Sequence, residues 1–233
     1  MVREAVWTIR TTPSRVQWQS GPVSGAASDA CRPMFPLGTV LFPHAVIPLH
    51  VFEPRYRALV HDCMAGDARF GIVLIERGSE VGGGDQRSGV GTLARMVRAS
   101  EIPDGRWLVL ARGERRVRVC TWLTDDPYPR AEVEDWPDEG ALPDRALLEQ
   151  AEQVVRRTRA LLSESGAASA ALPAEWGLDG DADVAAWELC AAAPLNTYDA
   201  QRLLTCAAAR PRIELLTQLT GAMEGDLRRL LGA

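Results

Sequence analysis

Near Pro137 the hydrophobic period of the chain changes, and no single element can be built across that change. Before it, apolar residues come in short β-branched and aromatic runs separated by turn residues. After it, they recur every three or four positions. A chain that switches once in this way predicts a β-rich unit followed by a helical one, an α+β arrangement. Its 233 residues suffice for a real core in one large or two small units.

From Met34 to about Trp136 the runs predict about seven strands. They are TVLF, AVIPLHVF, RFGIVLIERG, GTLARMVRASEI, RWLVLARG, RRVRVCTWL and RAEVEDW. Pro103-Asp104-Gly105 marks a hairpin turn between the fourth and fifth. In RRVRVCTWL, Val117, Val119 and Thr121 alternate with Arg116, Arg118 and Cys120, which predicts one buried and one wet face. A single helix, Pro54 to Met64, opens on a proline that suits a first turn. Seven strands and one helix predict a small, partly closed barrel.

Beyond Pro137, residues 144–163 carry an apolar stripe from Leu147 through Leu162, and Gly166 stops it. Further helices are expected at Asp183–Ala193, at Asn196–Ala209 with Asn196 and Asp199 as a capping pair, and from Pro211 onward. The expected division is residues 1–33 as a flexible tail rich in Ser, Gly and Pro, 34–138 as the barrel, and 139–233 as the helical bundle. Met34 stands where a chain could also begin.

Every basic residue other than histidine is Arg; there is no Lys. A Walker A loop needs Lys on the nucleotide phosphates, so a P-loop ATPase is excluded. A Ser-Lys peptidase dyad and a Lys Schiff base are excluded on the same ground. The net charge of −5 disfavours nucleic acid as a partner. No apolar run is long enough to span a membrane, and the first residues lack a signal-peptide core, so the expected location is cytoplasmic. Five cysteines without a CxxC predict buried apolar side chains rather than disulfides, Cys31 alone being exposed.

Four constellations imitate chemistry. GVGTLA at 89–94, with Gly82-Gly83-Gly84 nearby, matches a dinucleotide fingerprint, but the residues after it predict a strand where that site needs a helix. His44, His50, His61 and Cys63 have no zinc-site spacing, and His61 and Cys63 point to different sides of a helix. Glu53, Glu76, Glu101 and Asp104 read as surface charge. Arg112, Arg115, Arg116 and Arg118 form a basic cluster interrupted by Glu114, which reads as a solvated strand face, with Trp107 and Trp122 packed inward. No metal, cofactor or catalytic residue is therefore expected.

The stretch PLGTVLFPHAVIPLHVFEPRYRALV resembles the start of the N-terminal substrate-binding domain of the Lon protease family. SGVGTLARMVRA resembles that family's glycine-led strand and WLVLARGERRVRV its following strand pair. LNTYDAQRLLTCAAARPRIELLTQL resembles its closing helices, with Gln201 and Leu203-Leu204 in the corresponding places. The resemblance spans about residues 34–233 and implies a PUA-like β-barrel followed by a helical subdomain. Without the ATPase and peptidase modules of the protease, it implies a non-catalytic protein that recognises a polypeptide segment or protein partner. A groove between barrel and bundle is the expected place. The candidate contacts are Phe42, His44, His50, Arg55 and Tyr56, with Tyr56 and Leu59 also packing the helix onto the barrel. An RNA-binding PUA-like module and a small-molecule binder centred on His50 are the rival readings. Oligomeric state is not fixed by the sequence.

Overall fold

The structure, a computed structural model, describes residues 31–78, 85–166, 171–173 and 176–232. Most of the expected tail and the Gly82–Gly84 run lie outside the described residues. Six strands, β1 (Arg32–Leu37), β2 (Val46–Val51), β3 (Arg69–Arg77), β4 (Gln86–Glu101), β5 (Trp107–Trp122) and β6 (Arg130–Asp135), form a mixed sheet, with α1 (Pro54–Ala65) between β2 and β3. Four helices follow: α2 (Arg145–Glu164), α3 (Ala182–Ala192), α4 (Thr197–Leu204) and α5 (Ala209–Leu231). The order is β2-β5-β4-β3-β1-β6, with β1 parallel to β3 and the other pairs antiparallel.

Strand β6 also pairs with β5, so the sheet curls back on itself without becoming a true barrel. Its contact with β1 covers only Arg32 and Pro33, which leaves a seam along the rest of β1. Long β5 makes the curl possible. Its first half pairs with β2, its second half with β6, and β4 runs beside both. The register shifts between Leu93 and Ala94, opposite Arg115 and Gly113, and such a bulge bends a strand and changes which face is buried. The expected alternation in RRVRVCTWL fails for other reasons: Arg116 is buried beside Val117 because the end of α4 covers it, and Thr121 is exposed past a second register shift between Val119 and Thr121.

Two strand assignments are corrected. The stretches RWLVLARG and RRVRVCTWL are one strand, because the bulge absorbs the interruption at Gly113. TVLF is not a strand; the strand lies upstream at Arg32–Leu37, among residues that read as tail and loop. Its prolines are tolerated for a positional reason. Met34 donates its N–H to the Pro129 carbonyl at 2.8 Å. Pro36, two residues on, faces the same way, beyond the first residue of antiparallel β6. Pro33 precedes the first pair of the β3 ladder.

The helical boundaries shift in the same way. Helix α4 stops at Leu204 instead of reaching Ala209, and α5 begins at Ala209 rather than Pro211. Pro211 sits inside the first turn of α5, where a missing N–H costs no helical bond. Asn196 caps α4 by accepting from the Asp199 N–H at 2.9 Å, as its spacing predicts.

Among the described residues apolar packing forms three clusters. One fills the curl around Phe35, Tyr56, Leu59, Phe70 and Trp107. A second lies under Met34, Val73, Leu93 and Val117, and the third joins α2–α5 around Trp187, Leu203, Ile213 and Leu216. Phe42 belongs to the third, its ring 6.1 Å from Trp187. TVLF thus acts as a strap that delivers a sheet-side aromatic into the helical core.

Candidate functional site

The junction between sheet and helices is built on a buried arginine. Arg116 on β5 is 3% exposed. Its guanidinium donates to the carbonyls of Trp136 and Leu204, each at 3.0 Å, to those of Cys206, Pro137 and Ala207, and to Asp138 at 2.9 Å. Leu204 and Cys206 close the end of α4, so a strand residue caps a helix whose last carbonyls would otherwise be unpaired. Arg212 on α5, also fully buried, donates to the same Asp138 and lies 3.4 Å over the Trp187 ring. Burial pulls the Arg116 guanidinium below its ordinary pKa, against the pull of Asp138. A second tie is Gln201 on α4, which donates to Ser88 at 2.8 Å and to the Val90 carbonyl at 3.1 Å.

The expected solvated face is corrected here: Arg116 is interior. Its neighbours are also committed, Arg115 to Asp135 at 2.6 Å and Arg118 to Glu134 at 3.4 Å. A phosphate backbone would have to displace these carboxylates. The signal for Arg116 was absent from the sequence, since its partners are mostly backbone carbonyls some twenty and ninety residues away.

Beside this junction lies a groove of about 610 Å³. One wall is the strap from Thr39 to Ile47; the other comes from α2, α3, the start of α4 and the residues before α3. Val40, Leu41, Phe42, Leu172 and Trp176 supply the apolar part of its lining, and Thr39, His44, Arg159, Glu188 and Thr197 contribute polar groups. The strap turns at His44, whose φ of 64° is left-handed. Its backbone N–H donates to the Gly113 carbonyl at 2.9 Å. A Cβ at Gly113 would overlap the Phe42 carbonyl oxygen, so glycine is required for the strap to lie this close.

Four of the five candidate residues divide between two places, and Arg55 lines neither. Phe42 and His44 line the large groove. His50 and Tyr56 line a separate groove of about 300 Å³ between β1 and β2, along the seam of the sheet. His50 is exposed on edge strand β2, 6.3 Å from Phe52. Tyr56 is 4% exposed and stacks on Phe35 at 4.2 Å; burial pushes its phenol up to about 12, with Arg55 opposing. Arg55 pairs with Glu53 at 2.9 Å and covers the Tyr56 ring. Phe42 and Tyr56 therefore carry core packing as well as groove surface.

The other constellations resolve simply. Gly89 and Gly91 lie within β4, so no helix follows the fingerprint. His61 is exposed and meets Trp107 edge-on, while Cys63 is buried and donates to the Arg69 carbonyl at 3.4 Å. Among the described residues no group of three or more His, Cys, Asp or Glu is placed to hold a metal ion. Glu53 and Asp104 are ion-paired with Arg55 and Arg106. The cysteines are free, but Cys120, on the face of β5 that also exposes Arg118, is exposed rather than buried as a cysteine was expected to be. No helix among the described residues is long and apolar enough to cross a membrane.

A curled mixed sheet, joined to a helical layer through buried arginine and opening a groove beside that joint, defines an α+β, PUA-like domain. The chain belongs to the ATP-dependent protease La (LON) substrate-binding domain family, whose model matches residues 32–220. It is 32% identical over 201 residues to Lon protease 2 of Herpetosiphon aurantiacus, a match that covers 82% of this chain and 24% of that protein. It is 29% identical over 118 residues to a LON peptidase N-terminal domain and RING finger protein of Schizosaccharomyces pombe, covering 46% of this chain and 24% of that one. The chain thus spans about a quarter or less of these relatives' length. Among solved structures, the Lon N-terminal domain protein from Xanthomonas campestris matches with a TM-score of 0.59 at 29% identity, covering 81% of this chain and 97% of that one. The N-terminal domain of the Mycobacterium avium complex Lon protease shares the fold, with a TM-score of 0.55 at 17% identity, over 82% of this chain and 97% of that one.

Proposed function

We propose that this protein is a non-catalytic, cytoplasmic recognition module that holds an extended, mainly apolar polypeptide segment in the groove between the strap and the helices. The observation that carries this reading is the groove itself: about 610 Å³, lined by apolar side chains and polar groups in similar measure, and walled on one side by sheet-derived residues and on the other by helices. Membership of a substrate-binding family supports a polypeptide as the ligand. The lack of Lys supports the absence of the ATP and Ser-Lys chemistry of a complete protease. Phe42 and His44 are the contacts within this groove; His50 and Tyr56 belong to the neighbouring seam and extend the surface, with Arg55 outside it over the Tyr56 ring. RNA is disfavoured because Arg115, Arg116 and Arg118 are already paired or buried.

An extended chain loses conformational freedom on binding, so affinity is expected on the order of micromolar. The test is fluorescence anisotropy with a labelled, permanently unfolded polypeptide, across a salt series. Binding should tolerate salt. Val46→Glu should weaken it without lowering the melting temperature, because Val46 lines the groove yet is 53% exposed. Unchanged affinity in that variant, or tight salt-sensitive binding of RNA in place of polypeptide, refutes the reading.

A further inference from the structure

Edge strand β2 turns its unpaired side away from β5. The Ala45 carbonyl accepts from the Gly113 N–H at 2.9 Å, and the register runs on unbroken from Val46 opposite Arg112 to Val51 opposite Trp107. Bonding pairs alternate along an antiparallel ladder, so the backbone groups of Ile47, Leu49 and Val51 face β5. Pro48 falls on the other parity, where its missing N–H costs no ladder bond. Val46, Pro48 and His50 therefore point three carbonyls and two N–H groups outward, and none of these has a hydrogen-bond partner among the described residues. Across the seam lies β1, which β6 leaves uncovered beyond Arg32 and Pro33. The groove of about 300 Å³ between the two strands has the buried Phe35, Leu37, Leu49 and Tyr56 in its lining. The Tyr56 hydroxyl also makes no hydrogen bond among the described residues, although the residue is nine-tenths buried. Val46 and Phe52 are half-exposed on the outer side of the edge, as is Leu108 opposite His50.

A row of unpaired backbone groups is complementary to the backbone of another extended chain. Strand β1 cannot supply it, since the Met34 N–H is already bound to the Pro129 carbonyl and Pro36 has no N–H. A second β2 would bring the same missing donor at Pro48. A chain with an unbroken run of N–H groups meets all three carbonyls. Its alternate side chains then fall on the apolar lining of the seam and against Val46 and Phe52. We infer that the free edge of β2 takes the bound polypeptide as an added strand lying in the seam. The inference rests on the reading that the ligand is a polypeptide, and it names how that ligand is held. The seam shares Thr39 and Ile47 with the larger groove, so one extended chain passes through both. The preferred segment is β-prone, free of proline and apolar at every second position.

The experiment is fluorescence anisotropy with a labelled peptide of about twelve residues, in which Val, Ile and Leu alternate with Thr, Ser and Glu. A single backbone N-methyl group is moved along its central residues one position at a time. Methylation at every second position should weaken binding by at least about fivefold, the size of one net backbone hydrogen bond, and at the positions between should leave affinity unchanged. His50→Pro removes one outward donor and no ladder bond, so it should weaken the unmodified peptide by about fivefold at an unchanged melting temperature. The methylated series uses the unaltered protein, so it decides even if the variant folds poorly. Losses that do not alternate with position overturn strand addition while the groove stands. So does binding of a permanently unfolded polypeptide but of none of the peptides. A dimer of the free protein that His50→Pro dissolves puts a second copy at the edge and overturns the inference as well. Absence of binding by the peptides and the unfolded polypeptide alike overturns the groove reading too.

Discussion

Replacing Arg116 by Met should unfasten the sheet from the helices. The loss does not come mainly from the ion pair, since two buried arginines share the single carboxylate of Asp138 and Arg212 remains to balance it. It comes from the backbone carbonyls of residues 136, 137, 204, 206 and 207, which lose a charged donor. A buried acceptor left unmade costs about 1–3 kcal/mol. Several of these are only partly buried and water can reach them, so the summed effect is expected at about 3–5 kcal/mol, in the range seen when one partner of a buried charged network is removed. For a chain of this size that lowers the melting temperature by about 6–20 °C. Urea unfolding followed by tryptophan fluorescence and by far-ultraviolet circular dichroism measures it, and noncoincident transitions would show the helices separating first. Arg118→Met is the control from the same strand. Its side chain is 47% exposed, bonds Glu134 at 3.4 Å and lies over Trp136, and its loss should cost about 1 kcal/mol or less. If Arg116→Met is no worse than Arg118→Met, the buried clamp is not what joins the two halves.

Tyr56→Ala should destabilise by about 3–5 kcal/mol, because it empties the stack against Phe35; a melting temperature near that of the unaltered protein would show that Tyr56 is not a core residue. Burial works to raise the Asp85 carboxyl, but its bonds to Arg87 outweigh it and hold the group below the usual carboxylate range. The resulting stability is complete above the unfolded pKa of about 4 and is lost as pH falls through the lower folded value, so Asp85→Asn should lower stability at pH 7 and flatten its fall on the acid side. A thiol reagent at pH 8 should label Cys31 and Cys120 promptly and leave Cys63 and Cys190 unmodified until the protein unfolds, since burial pushes both of the latter up to about 12.

The change from a strand-rich half to a helical half, the α+β class and the family were all written along the chain, because each rests on local facts. Period follows from neighbouring residues, the Asn196 cap from a spacing of three, and the exclusion of Lys-dependent chemistry from composition. Tertiary structure decided what depends on distant partners. Whether proline breaks a strand depends on which neighbour its missing N–H faces, so β1 could be placed only once β3 and β6 were in position. Whether Arg116 is wet or buried depends on the end of α4 that covers it, with carbonyls some ninety residues away. The free edges of β1 and β2 line one groove only because β5 holds β2 in place and β6 stops short along β1. Hydrophobic period sets which face of an element is buried; what that face meets, and which polar groups are left unpaired there, is set by the packing of all the others.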